Sequence, residues 1–77
     1  MEVKIISPDS TLFDGEADMV VVPGIDGLIG ILNNHAPLIS SLKKGAVKIK
    51  KDKEDQLFDI GGGVVEVMNN NVVVLVS

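Results

Sequence analysis

The sequence predicts an all-β domain, a flattened β-sandwich of about ten short strands. Turn residues recur at short, regular intervals, and the segments between them are rich in Val and Ile with period-two alternation. Helix start and stop signals are weak throughout. At 77 residues and 8.1 kDa the chain forms one domain, residues 1–77.

Val3 to Ile6 opens as a strand with Val3 and Ile5 on one face and Lys4 on the other, and Ser7-Pro8-Asp9-Ser10 ends it. Thr11 to Phe13 reads as a short strand, Asp14-Gly15 as a hairpin turn, and Glu16 to Val22 as the return, closed by Pro23-Gly24. Leu28 to Leu32 is apolar, and Gly30 in its middle suggests a bulge or a close backbone approach. Asn33-Asn34 suits left-handed turn geometry.

Ala36 to Leu42 reads two ways: Leu38, Ser41 and Leu42 fall at helical spacing before Lys43, Lys44 and Gly45, while Pro37 and Ile39 suit an edge strand. Its strand-rich neighbours favour the strand. Ala46 to Lys51 alternates Val47 and Ile49 inward with Lys48 and Lys50 outward, and Asp52-Lys53-Glu54-Asp55 forms a charged hairpin loop. Leu57 to Ile60 is followed by Gly61-Gly62-Gly63, Val64 to Met68, the turn Asn69-Asn70-Asn71, and Val72 to Val76. The last run has no polar residue, which implies cover on both faces and hence two packed sheets.

Composition narrows function. The hydrophobic share of 45% argues for a folded core, and aromatics at 3% leave an aliphatic one. A net charge of -4, a pI near 4.6 and the lack of Arg give no footprint for a nucleic acid. Lys43, Lys44, Lys48, Lys50, Lys51 and Lys53 collect in one stretch, read mostly as a solvated strand face. Cys is absent, which excludes disulfides and thiolate metal sites. No targeting segment is visible at the start. Gly27 to Leu42 lacks charge, but Pro37 and the Asn33-Asn34 pair break it too often for a membrane span.

Catalytic chemistry has little to build on. His35 is the single histidine and reads as a loop residue bonded to a nearby carbonyl. Asp52, Glu54 and Asp55 do not meet the spacing of a calcium loop. Gly61 to Gly63 resembles a phosphate cradle, yet no helix follows it, so a bulge or tight strand crossing is favoured. The chain is read as a non-enzyme without metal or cofactor, acting by presenting surfaces to partners.

Taken in order, Leu12-Phe13-Asp14-Gly15-Glu16-Ala17, Pro23-Gly24, Gly27-Leu28-Ile29-Gly30-Ile31-Leu32, His35-Ala36-Pro37-Leu38, Lys44-Gly45 and Gly62-Gly63-Val64-Val65-Glu66-Val67 resemble one family, the epsilon subunits of F-type ATP synthase. The resemblance runs from Val3 to Val76. It implies the N-terminal β-sandwich of such a subunit, a rotor part in the central stalk that clamps the gamma subunit and rests on the membrane c-ring, coupling proton flow to ATP synthesis without catalysis. Family members usually continue into two helices; the chain stops at Ser77, where they would begin, and the starting Met1 favours a natural short form over a cut domain.

The resemblance further implies that Asp26, Gly27, Leu28 and Ile29 face the c-ring and that Ser7, His35 and Ser40 face gamma. An acid common in the family at position 28 is replaced by Leu28, so apolar contact is expected at that loop; a Pro-Gly before the histidine is likewise replaced by Asn33-Asn34. The implied location is the cytoplasmic face of the bacterial inner membrane, peripheral and through the complex alone. The alternatives are a free-standing sandwich that binds a peptide or carbohydrate, and an enzyme using the glycine run as an anion cradle.

Overall fold

The computed structural model describes residues 1–77 and contains strands and turns only. Nine strands follow one another: β1 (Glu2–Ile6), β2 (Thr11–Glu16), β3 (Met19–Gly24), β4 (Gly27–Leu32), β5 (Leu38–Leu42), β6 (Gly45–Lys51), β7 (Glu54–Ile60), β8 (Gly63–Met68) and β9 (Asn71–Val76). They form one continuous sheet in the order β2-β1-β9-β8-β5-β3-β6-β7, with β4 attached to β3. β5 and β3 share a single pair, Gly24 with Leu42, and the sheet folds over there. β2, β1, β9, β8 and β5 make one layer, and β4, β3, β6 and β7 the other. All pairings are antiparallel except β1 with β9, which join the two chain ends in parallel.

The β5 segment is a strand, as its neighbours suggest: it pairs with β8 from Leu38–Val67 to Leu42–Gly63. The alternation predicted for β6 also holds, with Val47 and Ile49 buried and Lys50 exposed. Lys48 meets Asp55 across the ladder at 3.6 Å, a surface ion pair worth about 0–1 kcal/mol.

Between the layers lies one aliphatic cluster of 15 buried residues, including Val3 and Ile5 of β1, Val20 and Val22 of β3, Ile31 of β4 and Val72 and Val74 of β9. β-branched side chains suit this work because their stiff χ1 costs little to order on a pleated surface. Each one fully buried stabilises the fold by about 1.5–3 kcal/mol relative to exposure. The two phenylalanines close the open side of the fold: Phe13 on β2 and Phe58 on β7 meet edge to face, with ring centroids 5.7 Å apart. That contact joins the two end strands, which share no ladder.

Three readings of the sequence are corrected. Asp14-Gly15 is not a turn: both lie within β2, opposite Lys4 and Val3 of β1. A Cβ on Gly15 would stand 3.4 Å from the Phe13 ring, an ordinary contact that leaves room for a side chain. At Ala17 and Asp18 the chain bends and passes from β2 into the other layer, held by Ala17 N donating to Met1 O (3.0 Å), Asp18 N donating to Lys50 O (2.8 Å) and Asp52 N donating to the Asp18 carboxylate (2.8 Å). The Met1 ammonium donates to Ala17 O (3.1 Å) and Asn33 Oδ1 (2.7 Å).

Second, Gly30 makes no bulge; it sits in regular register opposite Val21, and a Cβ there would meet nothing within 4 Å. Third, β9 is not covered on both faces: Val72 and Val74 are buried, but Leu75 is 47% exposed. An apolar run therefore marks β-propensity as well as burial. The charged loop is also shorter than expected, with Asp52 and Lys53 forming the turn and Glu54 and Asp55 already paired in β7.

Turn chemistry otherwise follows the residues. Asn69 and Asn70 both take positive φ (51° and 61°) in the two-residue hairpin that closes Met68 against Asn71, and Asn34 takes φ 62°. Gly63 enters β8 at φ 152°, where a Cβ would stand 2.1 Å from the Leu75 carbonyl oxygen. The glycine run is thus a close strand crossing, tied down by Ser77 N donating to Gly62 O at 3.2 Å.

Glu2 and Glu16 face each other across the β1–β2 ladder. A proton shared in a hydrogen bond with Glu16 raises the Glu2 pKa above its ordinary value, as do partial desolvation and the charges of Glu16 and Asp14; the nearby Met1 ammonium works against them. The folded state holds this proton more tightly than the unfolded one, so the pair favours folding at low pH and loses that contribution as pH rises through the raised value.

Two outcomes follow. Val74→Asp puts an unpaired charge in the dry centre, a loss of more than about 4 kcal/mol, and abolishes the cooperative thermal melt. Glu16→Gln removes the carboxylate repulsion, so Glu2 titrates at lower pH by carbon-detected NMR and the melting temperature at neutral pH rises slightly.

Candidate interaction surfaces

The first surface is the β3–β4 turn. Gly24 pairs with Gly27 to close it, leaving Ile25 and Asp26 at the tip. Gly27 has φ 136°, a conformation strained for any side chain, and a Cβ on Gly24 would lie 2.7 Å from Gly27 O and 2.8 Å from Ile29 Cδ1. The stem is pinned to the neighbouring corner by Ile25 N donating to Ser41 O (3.2 Å) and Lys43 N donating to Pro23 O (2.9 Å). The tip is apolar and exposed: Ile25 at 59% and Leu28 at 74%, with Asp26 a single carboxylate between them. Asp26, Gly27 and Leu28 thus project together, while Ile29, on the opposite face of β4, is half-buried and packs against the core. Ile25 belongs with them, and the Pro-Gly-Ile-Asp-Gly turn pattern was its signal.

Ser7, His35 and Ser40 do not converge. Ser7 follows β1, where its hydroxyl accepts Ser10 N at 3.1 Å and its own N–H donates to Ser10 O at 2.8 Å, so it is occupied in shaping a turn. His35 lies past the opposite end of the same layer: Asn34 N donates to Asn70 Oδ1 at 2.7 Å, beside the start of β1. Its ring Nδ1 is 2.7 Å from Ala36 O, the carbonyl partner expected of a loop histidine. Ser40 shares its row with buried Val65, Val74 and Ile5, which turns it toward the core side, half-buried.

What lies between these positions was not legible as a site. The outer face of β1, β9, β8 and β5 carries the row Ile6, Leu75, Val64 and Ser41 and, beside it, the row Lys4, Val73, Glu66 and Ile39. Ile39 is 73% exposed and Val64 37%. It is a mixed surface on a rigid sheet, with exposed aliphatic side chains set among Lys4, Glu66 and Ser41, and exposed aliphatic groups of this kind mark interfaces.

A polar cleft of about 700 Å³ opens between β2 and the β6–β7 hairpin, walled by Asp14, Glu16, Lys51, Asp52, Lys53 and Glu54. These charges stand on turns and strand edges around an open mouth, and no three His, Asp or Glu side chains come together in a metal-binding group anywhere in the chain.

The family profile of the ATP synthase delta/epsilon chain β-sandwich domain matches residues 1–77, the whole of the sequence. The chain belongs to that family. Among curated relatives it is 42% identical over 77 residues to the ATP synthase epsilon chain of Thermosynechococcus vestitus, and 40% identical over 75 residues to that of Leptospira interrogans. It spans 56% and 59% of the lengths of these two relatives. Its fold is shared by chains in the mitochondrial ATP synthase of Euglena gracilis (OSCP/F1/c-ring; TM-score 0.89, 17% identity, 96% of this chain and 48% of that one). It is shared likewise by a chain in the central stalk/c-ring of Tetrahymena thermophila mitochondrial ATP synthase (TM-score 0.82, 24% identity, 99% and 62%). The family sandwich is therefore present here with nine strands.

Gly27→Ala tests the turn directly. It costs about 1–2 kcal/mol of stability through its positive φ, seen as a lower melting temperature with an unchanged far-ultraviolet spectrum.

Proposed function

We propose that this chain is a non-catalytic rotor subunit of a proton-translocating F-type ATP synthase, joining the gamma subunit of the central stalk to the membrane c-ring. Membership of the delta/epsilon β-sandwich family over residues 1–77 carries the proposal. The molecule suits the task physically. Torque passes through a body only if it is stiff and held at two places, and a two-layer sheet with a close-packed β-branched core and short turns is stiff.

The two holds are the surfaces described above. The turn at Asp26, Gly27, Leu28 and Ile29, with Ile25, rests on the c-ring; its exposed Leu28 makes the contact apolar. Gamma sits against the outer face of β1, β9, β8 and β5, with Ile39, Val64 and Leu75 at the centre and Ser7 and His35 at its two ends. Ser40 supports that face from the core side. The chain acts as an N-terminal sandwich domain of the epsilon type, without a cofactor, on the cytoplasmic face of a bacterial inner membrane, where it is held through the complex. No helix in it is long and apolar enough to cross a membrane.

Gel filtration with the matching gamma subunit, followed by titration calorimetry, tests this reading. A stoichiometric complex is expected, weakened at least about tenfold, or about 1.4 kcal/mol, by Leu75→Lys and unaffected by Leu28→Glu. Leu28→Glu in turn reduces recovery of the chain with purified c-ring. Absence of a complex with well-folded gamma overturns the assignment.

A further inference from the structure

β4 ends its layer, pairing with β3 and with no other strand. The other two end strands carry charge: Asp14 and Glu16 on β2, and Glu54, Asp55 and Asp59 on β7. β4 has no charged residue, no proline and no break in register, so it lacks the devices that normally keep free edges apart.

The groups on that edge can be identified. Pro23, opposite Leu28, has no N–H, and its carbonyl accepts Lys43 N on the far side of β3. Pro23 and Leu28 are therefore a non-hydrogen-bonded pair, and alternation makes Val21–Gly30 and Met19–Leu32 the same. Leu28, Gly30 and Leu32 consequently turn their N–H and C=O groups to the free edge. Only the Leu32 carbonyl is engaged there, by His35 N at 3.2 Å.

The residues along this edge are Leu28-Ile29-Gly30-Ile31-Leu32, which read the same in both directions about Gly30. A two-fold axis at Gly30 would set Leu28 against Leu32 of a second copy, Ile29 against Ile31, and Gly30 against Gly30, with the outward-turned backbone groups in bonding register. Leu28 and Leu32, 74% and 59% exposed on the same face, would cover each other across the join. Gly30 fits this arrangement and nothing else in the fold: it has no positive φ, and its missing Cβ makes room for no neighbour in its own chain. A glycine inside a strand otherwise weakens it.

We infer that β4 pairs antiparallel with β4 of a second copy, making a symmetric dimer with one sheet running through both molecules. This edge shares Leu28 and Ile29 with the turn assigned to the c-ring, so a chain paired here does not also rest on the ring, and self-association is read on the free chain. A five-residue strand pair falls well short of the roughly 800 Å² per partner of a stable interface, so the association is weak and shows at high concentration.

Sedimentation equilibrium of the 77-residue chain from about 10 µM to about 1 mM tests it, with hydrogen exchange read at the same concentrations. Dimer is expected to accumulate toward the upper end, with slowed exchange at the amides of Leu28, Gly30 and Leu32 and unchanged exchange at the β7 edge. Gly30→Lys, placed where a side chain meets no obstacle, is expected to weaken the dimer at least tenfold without altering the thermal melt. Leu32→Lys serves as a second variant, and Leu57→Lys, at an exposed site on β7, leaves association unchanged. A chain that stays monomeric at the highest concentration overturns the proposal, as does a dimer that both β4 variants leave intact.

Discussion

The parallel ladder between β1 and β9 is the constraint on which the rest of this fold depends. It brings Glu2 beside Asn71 and Ile6 beside Leu75, so the first and last strands of the chain stand together in the middle of one layer. β2 is attached to the molecule through β1, and β8 and then β5 are attached through β9. Val3, Ile5, Val72 and Val74 face inward from this pair, so the same contact that joins the ends lays down the floor of the core. Closing a loop this long carries its entropy cost before any of the burial is gained. Within the layer the β1–β2 and β8–β9 pairs are local, and the β1–β9 ladder is what joins them.

The strands were largely legible because Gly, Pro, Asn and Ser punctuate the chain and β-branched residues fill the intervals. The parity of side chains within each strand was legible where charge alternated with aliphatic residues, as along Val47, Lys48, Ile49 and Lys50. It was not legible where a strand was uniformly apolar, because the exposure of Leu75 is set by its partners Val64 and Ile6, far away in sequence. Gly15 and Gly30 were misread for a related reason. A glycine marks a turn or a close approach only where its φ or a near neighbour requires one, and neither position has either within its own chain.

The surfaces divide along the same line. The β3–β4 turn is local, and Pro23, Gly24, Asp26 and Gly27 mark it in sequence. The outer face of β1, β9, β8 and β5 is assembled from four strands drawn from both ends and the middle of the chain, and no local pattern marks it. Ser7 and His35 came from a family resemblance and lie at the margins of that face, while Ser40 points to the other side of the sheet. Both surfaces are offered by one packed body, so a force applied at the turn reaches the opposite layer through the core with little give.

The pairing of Phe13 with Phe58 has a practical side. The chain contains no Trp, Tyr or Cys, so these two rings are its whole near-ultraviolet chromophore. They sit where β2 and β7 face each other without hydrogen bonds, a flank of the fold that backbone pairing leaves open. The weak phenylalanine bands in the circular dichroism spectrum thus report on that flank alone. A loosening there, invisible to the amide signal of nine intact strands, is recorded by the native sequence without an added label.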